Sequence, residues 1–244
     1  MTATDFKIEY SAVAEQRGSS VPVVIVAAGS SSRMGGVNKI FASVAGVPVI
    51  ARTMLAFQRN AMVSEIVVVT QEAYIADIKK LCDEYMITKI ACVTKGGNDR
   101  LSSVLNGLNV LNGDSVGVMI HDGARPFPSD TLITKMAKAA LEHDCSVCAV
   151  AVKDTIKEKG ERVQTPERSR FVAVQTPQSL NYLKYKELLM NAYNKEQFTD
   201  DASVMEKAGF NTVIIDGEES NIKITTPIDL ILAEAIAKEE GKCE

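Results

Sequence analysis

Positive charge in excess is the first thing this sequence lacks: of its 244 residues, 27 are Lys or Arg and 31 are Asp or Glu, a net charge of −4 with histidine neutral. A nucleic-acid partner is met with a surplus of cations, so the balance argues against one. Long apolar runs are missing too. The longest, at residues 23–28 and 147–152, fall far short of the about 20 residues a helix needs to cross a bilayer, and no membrane span is expected. The first twenty residues carry Asp5, Glu9 and Glu15 and lack an apolar core with a small-residue cleavage site. They do not read as a secretion signal, and the cytoplasm is the expected compartment. Cysteine is scarce and odd in number, at Cys82, Cys92, Cys145, Cys148 and Cys243, which suggests no disulfide framework. The one CxxC, from Cys145 to Cys148, lies in the apolar run SVCAVAV without a second pair to complete a metal site, so buried reduced thiols are the better reading.

What is present is enough apolar material, 46% of residues, for a sizeable core in one large or two small domains. Short β-branched runs stand at residues 21–29, 65–70, 89–94, 116–122, 145–152 and 212–216, and longer amphipathic stretches separate most of them. Alternation of this kind implies an α/β fold on a parallel-type sheet. Pro48 marks a helix start, Ser102 precedes a helical segment ending near Leu111, and Thr226 with Pro227 caps the last helix. Residues 153–170 break the rhythm: they are charged, contain Gly160 and Pro166, and lack helical spacing. They read as a protruding hairpin or arm, which composition alone would leave as a solvated loop.

The chemistry-bearing signals lie at the ends of these runs. AAGSSSRMGGVNK (27–39) follows the first strand, and small residues at Ala27, Ala28 and Gly29 let backbone N–H groups approach an anion while Arg33 and Lys39 add fixed charge. A polyphosphate site follows from this, although the segment is neither a Walker A motif nor a GxGxxG fingerprint. GGNDRLSSV (96–104) is a turn entering a helix with Ser102 or Ser103 near its start; it either reads a base or phosphate or is a plain capped helix. VMIHDGARPF ends an apolar strand in Asp122, where ligands of open α/β sheets bind, and a carboxylate there suits a metal or a ribose hydroxyl. Next to it, His121 reads as a satisfied structural residue and Arg125 as the partner of a nearby carboxylate. Asp200 and Asp201 in FTDDAS suit a helix start. Lys223 in NIKITTPIDL is read in a short strand with Ile222 and Ile224 on the other face, and alone it would pass for a surface lysine.

Taken in order, AAGSSSRMGG with Lys39, GGNDR with Ser103, HDGARPF, VKDTIK, QTPQ and NIKITTP resemble the 2-C-methyl-D-erythritol 4-phosphate cytidylyltransferase family from residue 21 to about 235. The resemblance implies a Rossmann-like three-layer α/β nucleotidyltransferase fold, with a mixed, mostly parallel sheet and a β-arm at about 153–170 that interlocks with a second subunit. It implies transfer of the cytidylyl group of CTP to 2-C-methyl-D-erythritol 4-phosphate, with pyrophosphate released and Mg²⁺ as the divalent cation, in the non-mevalonate route to isoprenoid precursors. By position, Arg33 and Lys39 would stabilise charge on the triphosphate, while Gly97, Asn98 and Ser103 would meet the cytosine beside the 27–29 loop. Lys223 and Arg168, assisted by Thr155, would position the acceptor phosphate, with the arm residues serving the partner's site. Asp122 is the implied substrate contact and the one candidate metal ligand, most of the Mg²⁺ being held by the triphosphate. Two positions depart from the family's commoner pattern: Asn38 stands where proline is frequent, and Asn98 where an acid is. Residues 1–20 match no motif and are read as an extension of unknown role before a single domain at 21–244.

The residue types fit this chemistry on their own terms. A phosphate monoester, with a second pKa near about 6, is already largely dianionic at neutral pH and needs no general base. The difficulty is two anions approaching while a third leaves, which calls for preorganised cations. Two other readings compete: a ribitol 5-phosphate cytidylyltransferase, which shares the CTP loop but not the TPERSRF arm, and a noncatalytic CTP-binding relative.

Overall fold

The computed structural model describes residues 20–29, 38–111, 115–192 and 198–240. In chain order the elements are β1 (Val21–Ala27), β2 (Ser43–Val44), β3 (Val47–Pro48), α1 (Val49–Arg59), β4 (Val63–Thr70), α2 (Ile75–Glu84), β5 (Ile90–Lys95), α3 (Arg100–Asn109) and β6 (Gly117–Asp122). They continue with α4 (Asp130–Glu142), β7 (Cys145–Ala151), β8 (Val172–Asn181), α5 (Tyr182–Ala192), α6 (Asp201–Lys207), β9 (Val213–Asp216) and α7 (Pro227–Glu240). Seven strands form one sheet in the order β5-β4-β1-β6-β8-β7-β9, and β2 and β3 pair as a small hairpin. Only β8 runs antiparallel to its neighbours, β6 and β7; the other pairs are parallel.

Period-two alternation in strands covered on both sides gives two cores. Along β1, Val21, Val23 and Ile25 face α1, α2 and α4, with Met54, Phe57, Ile78 and Met136 among the buried partners. Val24 points the other way, with Val67 and Val69, onto α3, α5 and α6, where Leu108, Tyr185 and Met205 pack. The result is the expected three-layer, mixed, mostly parallel α/β fold. Cys145 falls in the second core and Cys148 in the first, because three steps along a strand reverse the face. The two thiols are therefore buried apart and reduced, and burial pushes them up to about 11 and about 12. A third cluster, of Val44, Val49, Phe127, Ile224, Ala233 and Ala237, seats α7 on the hairpin. No helix among the described residues is long and apolar enough to cross a membrane.

Pro48 directly precedes α1, as its fixed φ suits. Helix α3 starts earlier than Ser102: Asp99 is its cap, accepting from the Ser102 N–H while Ser102 Oγ accepts from the Asp99 N–H. Asp200 and Ser203 repeat that box on α6. Before α7, Asp229 Oδ2 accepts from the N–H groups of Thr225 and Thr226 at 2.8 and 2.7 Å, fixing the expected start at Thr226 and Pro227. Two readings need correction. The strand β8 was not foreseen, because its middle, QTPQ, is polar and holds a proline. It is tolerated because the ladder with β7 shifts register between Val147 and Ala149, leaving residues 175–177 outside the pairing. The segment around Lys223 is not a strand, although Ile224 is buried and Lys223 exposed as alternation requires; its backbone is tied instead by the Ile224 N–H to the Ala124 carbonyl at 2.9 Å.

Residues 153–170 leave the sheet between β7 and β8 and fold back on themselves. Glu158 and Gln164 exchange both backbone hydrogen bonds, at 3.0 and 3.2 Å, and Lys157 Nζ reaches Thr165 Oγ1 at 2.6 Å. In this span only Ile156 and Pro166 are even half-buried, so the arm protrudes as expected. Of the expected extension at 1–20, all but residue 20 lies outside the described residues.

Candidate active site

The carboxyl ends of β1, β5 and β6 meet on either side of the point where the strand order reverses, the place where open α/β sheets bind ligands. A cavity of about 380 Å³ opens there, lined by Ala27, Ala28 and Gly29 after β1, by Gly97, Asn98, Asp99, Arg100 and Ser103 at the start of α3, and by Lys39, Asp122 and Lys223. The expected residues Ala27, Ala28, Gly29, Lys39, Gly97, Asn98, Ser103, Asp122 and Lys223 are thus brought to one place from five segments of the chain. Arg33 lies outside the described residues. Thr155 and Arg168 sit on the exposed arm and line no part of the cavity; Arg168 Nη1 donates to the Lys153 carbonyl at 2.6 Å.

Each wall has a local cause. A Cβ on Gly96 would come within 2.5 Å of Ala28 Cβ, so a glycine there lets the 96–99 loop press against the 27–29 loop, while one on Gly97 would come within 2.1 Å of Ser102 Oγ, so a glycine there lets the loop turn tightly into α3. Ser103 Oγ accepts from the Gly97 N–H at 3.0 Å and donates to the Asp99 carbonyl at 2.8 Å, so the hydroxyl shapes the loop. Asn38 Oδ1 accepts from the Ile40 N–H at 3.4 Å, a side-chain turn that leads into Lys39 without a proline.

Asp122 is the electrostatic centre. Lys223 Nζ lies 2.8 Å from its Oδ2, Arg125 Nε 3.6 Å from the same oxygen, and Arg100 Nη2 3.8 Å from its Oδ1. Burial pushes the carboxyl up, but Lys223, Arg100 and Arg125 together outweigh it and hold the group at about 2. With three cations around a single carboxylate, Asp122 is poorly placed to hold a divalent metal, and the expectation that it does so does not fit its surroundings. No group of three or more His, Cys, Asp or Glu that could hold a metal ion occurs among the described residues.

His121 plays the structural part expected of it. Nε2–H donates to the Arg125 carbonyl at 3.0 Å, and Nδ1 accepts from Thr176 Oγ1 at 3.1 Å, the tautomer fixed because a carbonyl can only accept. Complete burial lowers it to about 4, so it stays neutral. Thr176 Oγ1 also accepts from the Asp122 N–H at 3.1 Å. Arg125 pairs with Asp122 as expected and also donates to the Asn221 carbonyl at 2.8 Å, anchoring the segment that carries Lys223.

A second cavity, of about 320 Å³, adjoins the first. Its walls include Arg125, Gln175, Thr176, Gln178, Thr199 and Asp200, and it shares Arg100, Asp122 and Lys223 with its neighbour. A larger hollow of about 740 Å³ between α1 and α7 has no such convergence of charge and is not assigned as the site. Arg100 was missed as a site residue. Its motif was read, but only the fold shows that α6 brings Asp201 against it, at 2.6 Å.

The profile of the 2-C-methyl-D-erythritol 4-phosphate cytidylyltransferase family matches residues 21–239. The chain belongs to this family. Proteins of that name from Bacillus velezensis and Halalkalibacterium halodurans are 45% and 40% identical, each over 90% of this chain and 96% and 98% of their own. The solved 4-diphosphocytidyl-2C-methyl-D-erythritol synthase of Anaerococcus prevotii superposes with a TM-score of 0.81 at 28% identity, covering 93% of this chain and 99% of its own. A Thermus thermophilus structure titled as the cytidylyltransferase does so at 0.74 and 29% identity, over 90% and 99%. The family is one of nucleotidyltransferase enzymes, and residues of the AAG, GGNDR, HDGARPF, QTPQ and NIKITTP motifs are those that the fold gathers around the two cavities, whereas VKDTIK lies on the arm.

Proposed function

We infer that the protein transfers the cytidylyl group of CTP to the phosphate of 2-C-methyl-D-erythritol 4-phosphate, releasing pyrophosphate, in the non-mevalonate route. The observation that carries this reading is the pair of adjoining cavities sharing Arg100, Asp122 and Lys223: two anionic substrates need two pockets whose common wall is cationic. The glycine-lined cavity, walled by Gly29, Gly97 and Asn98 and carrying the cation of Lys39, suits the nucleotide. The second, walled by Arg125, Thr176 and Thr199, suits the sugar-alcohol phosphate.

The acceptor phosphate is its own nucleophile, so these residues position and neutralise. Lys39, with Arg33, offsets charge on the triphosphate as pyrophosphate departs. Lys223 is held by Asp122 at the junction, where it draws the attacking phosphate toward the nucleotide. Mg²⁺ supplies further neutralisation of the phosphates when bound with CTP. Arg168 and Thr155 act on the acceptor from a partner subunit's arm in a homodimer. Incubating the purified protein with CTP, Mg²⁺ and the methylerythritol phosphate, and identifying products by ³¹P NMR and mass spectrometry, tests the reading. The expected product is 4-diphosphocytidyl-2-C-methyl-D-erythritol; recovery of unchanged CTP overturns it.

A further inference from the structure

Behind the shared wall lies a buried ion pair. Asp201, at the start of α6, is completely buried. Its Oδ2 accepts from Arg100 Nη2 at 2.6 Å, and its Oδ1 accepts from the Tyr185 hydroxyl on α5, also at 2.6 Å. From β8, Gln178 Oε1 accepts from the N–H groups of Asp201 and Ala202 at 3.1 and 2.9 Å, while its Nε2 donates to Asp200 Oδ2 at 2.9 Å. Arg100 on α3 and Tyr185 on α5 therefore hold this carboxylate, and Gln178 on β8 holds its backbone. Burial and the adjacent Asp201 push the Tyr185 hydroxyl up, so it remains a donor.

Arg100 is held firmly from behind and only loosely paired beyond that. The nitrogen that binds Asp201 stands 3.8 Å from Asp122, beyond hydrogen-bond length, and Nη1 is buried with no hydrogen-bond partner among the described residues. Burial opposes the charge on Arg100, but Asp201 and Asp122 outweigh it, so the guanidinium is a permanent cation. A buried ion pair is a poor stabiliser, since desolvation consumes most of its attraction and an apolar pair of similar volume serves as well. A cation that lines both cavities, with a buried carboxylate fixed behind it at 2.6 Å, is better explained by what it does there.

We propose that Asp201 and Tyr185 are positioning residues that hold Arg100 at the junction of the two cavities, where its guanidinium stabilises the charge that develops as the two anionic substrates meet. This rests on the transferase reading above and adds to it a buried relay through α5 and α6. The test is kcat and KM for CTP and for the acceptor, with thermal midpoints, in wild type, Tyr185→Phe, Asp201→Asn, Asp201→Glu and the double variant Arg100→Met with Asp201→Leu. Because the guanidinium acts on the transition state, Asp201→Asn is expected to lose about tenfold or more in kcat, with both KM values within about threefold. Asp201→Glu recovers part of that loss, and Tyr185→Phe falls between wild type and Asp201→Asn. The double variant melts near wild type yet loses turnover, which keeps the proposal testable if Asp201→Asn fails to fold. Wild-type kcat in Tyr185→Phe and in the folded double variant overturns it, as does a rise in KM alone. A wild-type protein that does not turn over the two substrates defeats the transferase reading and this proposal with it, whereas normal wild-type turnover beside unaffected variants defeats only the relay.

Discussion

Lys223→Met separates catalysis from stability at the residue where the two cavities meet. The lysine is 40% exposed in its side chain and lies 2.8 Å from a carboxylate that two arginines, at 3.6 and 3.8 Å, continue to neutralise after it is gone. Methionine keeps most of the apolar stem, so packing changes little. A half-exposed ion pair contributes about 1 kcal/mol or less, and for a chain of this size that corresponds to a fall of roughly 2–4 °C in melting temperature. Loss of a preorganised charge that acts on the transition state costs roughly 2.7–4 kcal/mol, or about a hundred- to a thousandfold in kcat. Pyrophosphate release at saturating substrates, measured beside a thermal melt, tests both figures. A kcat within threefold of wild type refutes the catalytic role, and a melting temperature lowered by more than about 10 °C shows that the lysine is chiefly structural.

Other expectations follow from the same geometry. Lys39→Ala and Arg33→Ala each lose roughly a hundredfold in turnover, and near-normal rates in both would sink the triphosphate assignment. His121 sets a pH limit: its folded value, about 4, lies below the ordinary 6.5, so as pH falls from 6.5 to 4 the unfolded chain takes up a proton that the folded chain refuses. That difference removes about 3 kcal/mol across this window, and His121→Gln should flatten the stability curve there. Asp122, with its folded value depressed from 3.8 to about 2, contributes stability that is present above 3.8 and lost only as pH falls toward 2, so the two windows are separable. A shared site makes mixing informative: Lys39→Ala and Arg168→Ala proteins, each inactive alone, should recover roughly a quarter of wild-type activity as exchanged dimers if the arm serves its partner. Mixtures as inactive as their components would argue against an arm that crosses subunits.

Most of the scaffold was legible because its strands are β-branched, the central ones buried on both faces and the edge strands β5 and β9 partly buried, patterns that need no partner to be recognised. The runs at 21–29, 65–70, 89–94, 116–122, 145–152 and 212–216 became β1, β4, β5, β6, β7 and β9 with ends moved by a residue or two. The strand β8 was hidden because polar QTPQ occupies a register break in the sheet interior, where Gln175, Thr176 and Gln178 make side-chain hydrogen bonds instead of apolar contacts. Among the site residues, the 27–29 loop, Lys39 and Asp122 could be read from their place after strands. Arg100 could not, because its partner Asp201 is 101 positions further along the chain, and only the packing of α5 and α6 brings that carboxylate, with the Tyr185 hydroxyl that holds it, near. Asp122 was read as a metal candidate because a sequence shows a carboxylate but not the three cations converging on it.

The most direct test of the account is pyrophosphate release from CTP and Mg²⁺ by the purified protein, measured in parallel with 2-C-methyl-D-erythritol 4-phosphate and with ribitol 5-phosphate. Release with the first acceptor alone is predicted. Release with ribitol 5-phosphate alone, or with neither acceptor while CTP still binds, would contradict the assignment of the second cavity and of the arm.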